Sequence, residues 1–349
     1  MPVLLHVDWL PYRRGLVVFP RAGHMRRQGF ITIFFLAVIA LSSGVAQERT
    51  KPYRIGVLSP AERTTTRVFD GLRQGLRERG YIDGQNIIIE YRLTAGDFSR
   101  LPAMAAELAQ LPVDIIVPDG GDKITQIAFN ATRTIPIVAP TSFDPVAAGL
   151  AASLAHPGGN ITGLTMFAEE LSGKRVQLLR EAFPAMRRVA VFWNPAAAPS
   201  SQVRGTEGAA RELGVRLQPI EITTAAQIAS GFETALTGGA EGLIVINDAM
   251  FWNERAQIVA LAARSRLPAI YPEREYADDG GVLAYGPNVP DNFRRAAAYI
   301  DKILKGAKPG DLPIEQPVKF EFIINRKAGS ALGWAVPPTL LVRADEVIE

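Results

Sequence analysis

From residue 53 onward the chain alternates short, almost unbroken apolar runs with longer stretches whose apolar residues recur every three or four positions, and it does so in two successive blocks. Tyr53 to Leu58 (YRIGVL) reads as a buried strand, and Val68 to Arg79 follows with Phe69, Leu72 and Leu76 on one helical stripe, closed by Gly80. Strands at Asn86 to Tyr91, Asp114 to Val117 and Ile135 to Ala139 then alternate with helices at Ser99 to Leu111 and Asp122 to Thr132. Strand, helix, strand at this spacing requires parallel crossovers, and helices on both faces of the sheet explain why the strands are apolar throughout rather than alternating.

After the passage His156-Pro157-Gly158-Gly159-Asn160 the rhythm restarts. Helices are expected at Glu170 to Phe183, Ser200 to Leu213, Ala225 to Leu236 and Asn253 to Arg264. They lead to strands at Arg188 to Trp193, Val215 to Ile220, Gly242 to Ile246 and Ala269 to Tyr271. A strand at Val282 to Tyr285 and a helix at Asn292 to Leu304 follow, then a β-like run, Val318 to Ile324, and a helix, Arg326 to Gly333. Two α/β units of similar size result. The link at 156 to 164 is too short and too poor in Ser for a flexible tether and reads as a hinge.

The start of the chain belongs to neither unit. Met25-Arg26-Arg27, the apolar block Phe30 to Leu41 and the small-residue ending Gly44-Val45-Ala46 form a secretory signal peptide, with cleavage expected after Ala46 and Met25 the better start than Met1. Twelve apolar residues rise about 18 Å as a helix, well short of a hydrocarbon core of about 30 Å, so a permanent span is not expected. With residues 1–46 removed, 33 basic and 34 acidic residues remain, so the basic pI belongs to the leader and gives no ground for nucleic-acid binding. His156 is then the last histidine, and the chain has no Cys. Zinc or copper sites with N and S ligands, and His-dependent triads, lose their support. About 300 residues without disulfides must hold by core burial, which that length permits as two domains.

In open α/β sheets ligands sit beyond the carboxyl ends of the strands. That rule selects Ser59-Pro60-Ala61-Glu62, Asp119-Gly120-Gly121-Asp122 and Thr141-Ser142-Phe143-Asp144-Pro145 in the first unit. In the second it selects Asn194-Pro195, Asn247-Asp248-Ala249-Met250-Phe251-Trp252 and Pro272-Glu273-Arg274. Each segment also has a plainer reading. Gly120-Gly121 makes a tight turn with Asp122 as helix cap, and Asp144-Pro145 and Asn194-Pro195 are turn dipeptides. Of the adjacent Phe251 and Trp252, one faces the core and the other a cleft. Glu169-Glu170 and Asp278-Asp279 read as helix-terminal charge and a solvated turn, and His156 as a solvated loop residue.

RIGVLSP, DGLRQGLRERGYIDGQNIIIEYR, PIVAPTSFDPVAAGLAASLAHPGGNITGLT and the ending LPIEQPVKFEFIINRKAGSALGWAVPPTLLVRADEVIE together resemble the extracytoplasmic substrate-binding proteins of ABC importers, in the group related to tryptophan/tyrosine-binding proteins. The resemblance spans residues 53 to 349 and implies an α/β fold of the type I periplasmic-binding-protein kind, two Rossmann-like lobes with parallel sheets joined by a hinge of three crossing strands. It implies a first lobe of 47–160 plus about 286–316 and a second of 161–285 plus about 317–349. It places ligand contacts at Ser59, Glu62, Gly120, Gly121, Asp122, Ser142, Phe143, Asp144, Asn194, Asp248, Phe251, Tyr285 and Gly286. Many relatives carry a small hydroxyl residue where this chain has Gly121 and Asp122. An acid there suits a ligand amino group better than a carboxylate.

The implied activity is capture of a small molecule outside the inner membrane and its presentation to an ABC permease, by a periplasmic monomer that needs no cofactor and carries out no reaction. An extracytoplasmic sensor domain and a secreted hydrolase working with Glu62, Asp122 or Asp248 stand as alternatives.

Overall fold

The computed structural model describes residues 51–166, 169–195 and 200–349, without the side chains of 169, 170, 200, 201 and 249. The expected leader and the side chains of Glu169 and Glu170 lie outside the described residues.

The first layer is a five-stranded parallel sheet. Its strands are β1 (Tyr53–Ser59), β2 (Ile87–Leu93), β3 (Ile115–Pro118), β4 (Ile137–Ser142) and β5 (Ile161–Thr165), in the spatial order β2-β1-β3-β4-β5. Helices α1 (Arg67–Arg77), α2 (Leu101–Gln110) and α3 (Gly121–Ala131) make the crossovers. Thr66 caps α1 by accepting from the Phe69 N–H, and Phe69, Leu72 and Leu76 are buried as their spacing requires.

The second sheet has seven strands. Helix α4 (Glu169–Ala182) leads to β6 (Arg188–Trp193), α5 (Ser200–Glu212) to β7 (Arg216–Glu221), and α6 (Ile228–Thr237) to β8 (Gly242–Val245). Two helices, α7 (Ala249–Asn253) and α8 (Arg255–Arg264), precede β9 (Ala269–Tyr271), and α9 (Arg274–Asp278) precedes β10 (Leu283–Pro287). Helix α10 (Val289–Leu304) follows, then β11 (Phe320–Asn325), α11 (Arg326–Ala331), α12 (Pro338–Leu341) and β12 (Glu346–Ile348). The order is β12-β11-β10-β9-β8-β6-β7, parallel except where β10 meets β11.

Two differences from the sequence reading stand out. Residues 161–165, expected to open the second lobe as a hinge strand, are the edge strand of the first sheet, paired in register with Ile137 to Ala139 and fully buried. Gly163 sits at φ +145, where a β-carbon would lie 2.0 Å from the Ala139 carbonyl oxygen, so this close pairing requires glycine. The helix expected over 253–264 is α8, but a further short helix, α7, precedes it just beyond the end of β8.

After β10 the chain crosses back to the first layer, where α10 packs on α1 and its Phe293, Ala296, Ala297 and Ile300 join the core of the first sheet. The contact is close because α1 carries Gly71 and Gly75. A β-carbon at either would lie within 2.3 Å of the Pro290 or Arg294 carbonyl oxygen. The crossing segments are laced together. The Thr165 N–H donates to the Glu315 carbonyl (2.8 Å), the Asn288 N–H to that of Lys319 (3.0 Å), and Asn292 Nδ2 to those of Pro140 and Thr165 (3.2 Å each).

Candidate functional site

Both sheets share one topological feature: their first strand lies inside the sheet, between the second and third. The order reverses between β1 and β3 in the first sheet and between β6 and β8 in the second. Crevices open at such points because successive crossovers leave on opposite faces. The two crevices face a common cleft of about 870 Å³. Its first wall comes from the loops after β1, β3 and β4, with Pro60, Glu62, Arg63, Asp119, Gly120, Gly121, Thr141 and Phe143. Its second comes from the ends of β8 and β9, with Asn247, Met250, Trp252, Arg255, Glu273 and Glu275.

Of the residues expected to contact a ligand, Glu62, Gly120, Gly121 and Phe143 line this cleft. The others are held in structural contacts beside it. Ser59 is buried at the end of β1, where its hydroxyl donates to Asp119 Oδ2 (2.7 Å). Asp122 does not cap its own helix: its Oδ2 accepts from the Phe143 and Asp144 N–H groups (3.1 and 2.7 Å), clasping the loop after β4 to the start of α3. The N–H groups of Gly120 and Gly121 donate to Thr141 Oγ1 (3.2 and 3.3 Å). Ser142 is buried in β4, and Asp144 accepts from the Ala147 N–H (2.9 Å) as a turn residue.

In the second wall Asp248 caps α7, accepting from the Met250 and Phe251 N–H groups (2.7 and 3.0 Å), and Asn194 Nδ2 donates to its other oxygen (3.2 Å). Burial pushes the carboxyls of both Asp122 and Asp248 upward against the pull of these hydrogen bonds. The cap sets the phase of α7. Phe251 points into the core with no exposure, and the neighbouring Trp252 lines the cleft, so the aromatic facing the cleft is Trp252 rather than the expected Phe251. Tyr285 is likewise turned away, packed against Phe320 and Phe322 at ring distances of 6.2 and 6.3 Å. Gly286 lies where a β-carbon would be 1.7 Å from the Pro272 carbonyl oxygen, so it serves a close strand contact.

The expected set omitted two acids that line the cleft just beyond strand ends, Asp119 and Glu273. Asp119 is the first residue beyond β3, and burial pushes its carboxyl up to about 6. Glu273, beyond β9, is 9% exposed and accepts from Asn247 Nδ2 (2.7 Å). Burial first, then the neighbouring Glu275, drives its carboxyl well above the usual range. Arg175, buried on α4 with its Nε donating to the Tyr285 carbonyl (2.8 Å), partly offsets this. Asp119 follows its apolar strand directly and Glu273 follows its own after Pro272, and that position beyond a strand end is the signal for them in the sequence. A third residue outside the expected set, Arg255, lies over the Trp252 ring at 4.4 Å and pairs with Asp279 at 3.0 Å. Among the described residues no cluster of three or more potential metal ligands exists, and no helix is long and apolar enough to cross a membrane.

A cleft between two switch-point crevices, with rings and acids on opposing walls, is an arrangement for enclosing a small molecule. The chain and its fold resemble known proteins. A tyrosine-binding protein of Clostridioides difficile (strain R20291) is 26% identical over 263 residues, 75% of each chain. The crystal structure of an ABC domain from Streptococcus pneumonia in complex with L-Trp matches with a TM-score of 0.78 at 25% identity, covering 85% of this chain and all of that one. The ligand-free, open structure of a substrate-binding protein with adhesive properties from Clostridium difficile matches with a TM-score of 0.65, also at 25% identity, over 85% of this chain and 99% of that one. The lobes follow the type I periplasmic binding fold, shared with a leucine-binding protein of Thermotoga maritima at a TM-score of 0.53 and 13% identity, covering 72% of this chain and 83% of that one. The family model of ABC transporter substrate-binding proteins matches residues 54–348, and the chain belongs to that family.

Proposed function

We propose that this protein is the periplasmic solute-binding component of an ABC importer, exported by cleavage after Ala46, and that it encloses a small molecule between its lobes and delivers it to an inner-membrane permease as a monomer, without catalysis. The observation that carries this reading is the cleft of about 870 Å³ lined by strand-end loops of both sheets. A ligand that touches both walls favours the closed arrangement, because only differential affinity shifts a population between open and closed. The closer match to the L-Trp complex than to the ligand-free, open relative supports reading the present arrangement as near closed.

The ligand is a small zwitterion or amine with an aromatic body. Trp252 and Phe143 offer ring surfaces, and Asp119 and Glu273 offer carboxyl groups, from opposite walls. The relatives that bind tyrosine and L-Trp support that class. Small-angle scattering and thermal unfolding of the exported chain, with a panel of aromatic amino acids and amines, test the reading. A ligand at 100 times its dissociation constant adds about 2.7 kcal/mol of stability, and the radius of gyration falls or stays at its closed value. A panel that neither stabilises nor compacts the protein would sink it.

A further inference from the structure

The charges around the cleft are unequal. Five acids line it, Glu62, Asp119, Glu254, Glu273 and Glu275, against Arg63, Arg67 and Arg255. Two of those arginines are engaged, Arg67 with Asp278 (3.5 Å) and Arg255 with Asp279 (3.0 Å). The start of α3, which would otherwise offer N–H groups to an anion, spends those of Gly120 and Gly121 on Thr141 Oγ1. The walls are thus poor in partners for a ligand carboxylate. They are rich in partners for a cation, and Asp119 and Glu273 stand on opposite walls, each fixed by a neighbour, Ser59 and Asn247.

Resting on the solute-capture reading above, we propose that the cleft selects a net organic cation, an arylalkylamine, whose ammonium group sits between Asp119 and Glu273 while its ring lies on Trp252. Seating the ammonium requires both carboxyls ionised. The groups that face this pair are Ser59 at Asp119, and Asn247, Glu275, Arg175, the buried Tyr276, which stays neutral, and Asp119 itself around Glu273. With the cleft empty, burial and mutual repulsion keep a proton on the pair, so binding the cation expels that proton to solvent. An alkylammonium stays charged across the range concerned, and the exposed His156 lies away from the cleft. The pH dependence therefore belongs to the carboxyls. Affinity for the amine rises with pH from about 6 to about 8, by up to about tenfold per pH unit for one proton released, and levels off above.

Isothermal titration of the exported chain with tryptamine, tryptophan and indolepropionate separates the possibilities, because the three share a ring and differ in charge. The expected order is tryptamine tightest, tryptophan weaker and no heat from indolepropionate. Tryptamine binding should release close to one proton, read from heats in two buffers of different ionisation enthalpy on the unmodified protein. Glu273→Gln should weaken tryptamine by about 30-fold or more at the high end of the pH range and flatten the pH slope. Tryptophan binding without tryptamine binding overturns the cation proposal and leaves solute capture standing. Indolepropionate binding as tightly as tryptamine, a pH-independent tryptamine affinity, or no binding of tryptamine at all overturns it as well.

Discussion

The two walls of the cleft solve the same problem with the same parts. Each has an acid that holds backbone and another, just beyond a strand end, that lines the cavity: Asp122 and Asp119 in the first wall, Asp248 and Glu273 in the second. The difference lies in what surrounds them. The first wall centres on a backbone turn, Gly120 and Gly121 tied to Thr141, with Phe143 beside it, whereas the second presents Met250, Trp252 and Arg255 on and beside a helix of five residues. One wall is a shaped backbone surface and the other a set of side chains. In the proposed complex the ring of the ligand lies on Trp252 of the second wall, and its ammonium sits between an acid of each wall, Asp119 and Glu273.

The sharpest way to break that comparison is at α7. Phe251→Ala should cost about 3–5 kcal/mol in urea unfolding, as an aromatic lost from a closed core, whereas Trp252→Ala should cost far less stability and instead weaken binding of a ringed ligand. Equal destabilisation by the two would mean that the helix phase set by Asp248 is wrong. The next effect separates backbone acids from cleft acids. Asp248→Ala and Asp122→Ala should each lower stability by about 0.5–2 kcal/mol, the range for a lost cap. Glu273→Gln should instead stabilise the empty protein. The folded carboxyl binds its proton more tightly than the unfolded one, so the parent loses stability as pH rises above the ordinary glutamate range, and the advantage of the variant grows with pH. A Gln variant that is less stable at pH 8 than at pH 5, relative to the parent, contradicts this. The smallest effect is at the rim, where Arg67 on α1 meets Asp278 on α9. Both are exposed, and Arg67→Ala should change stability by about 0–1 kcal/mol, less at high salt.

How much of this was legible follows from what a one-dimensional pattern contains. The central strands were readable because burial on both faces makes them continuously apolar, and β6, expected at Arg188 to Trp193, has those same bounds. ITGLT shows that a strand forms without showing which sheet it joins; hydrogen bonds to the preceding strand, β4, put β5 in the first sheet instead of the second lobe. The strand-end loops of the site were readable by topology. The individual contacts within them were not, since at α7 a single capping hydrogen-bond pair decides which of two adjacent rings meets solvent and which meets the core. Tyr285 does not line the cleft for a related reason: its ring shares a sheet face with Phe320 and Phe322 of β11, a strand that pairs with β10 from about 35 residues downstream.

The close seating of α10 on Gly71 and Gly75 bears on how the molecule can be divided. No single cut of the chain releases an intact lobe. A fragment ending near residue 160 would lack both β5 and α10, leaving β4 as a bare sheet edge and uncovering α1 at Gly71, Gly75 and the Phe69 ring that meets Phe293. Each half is thus completed only by sequence from beyond part of the other, and the first domain's core is complete only with residues near 300, which are synthesised after five of the second sheet's seven strands.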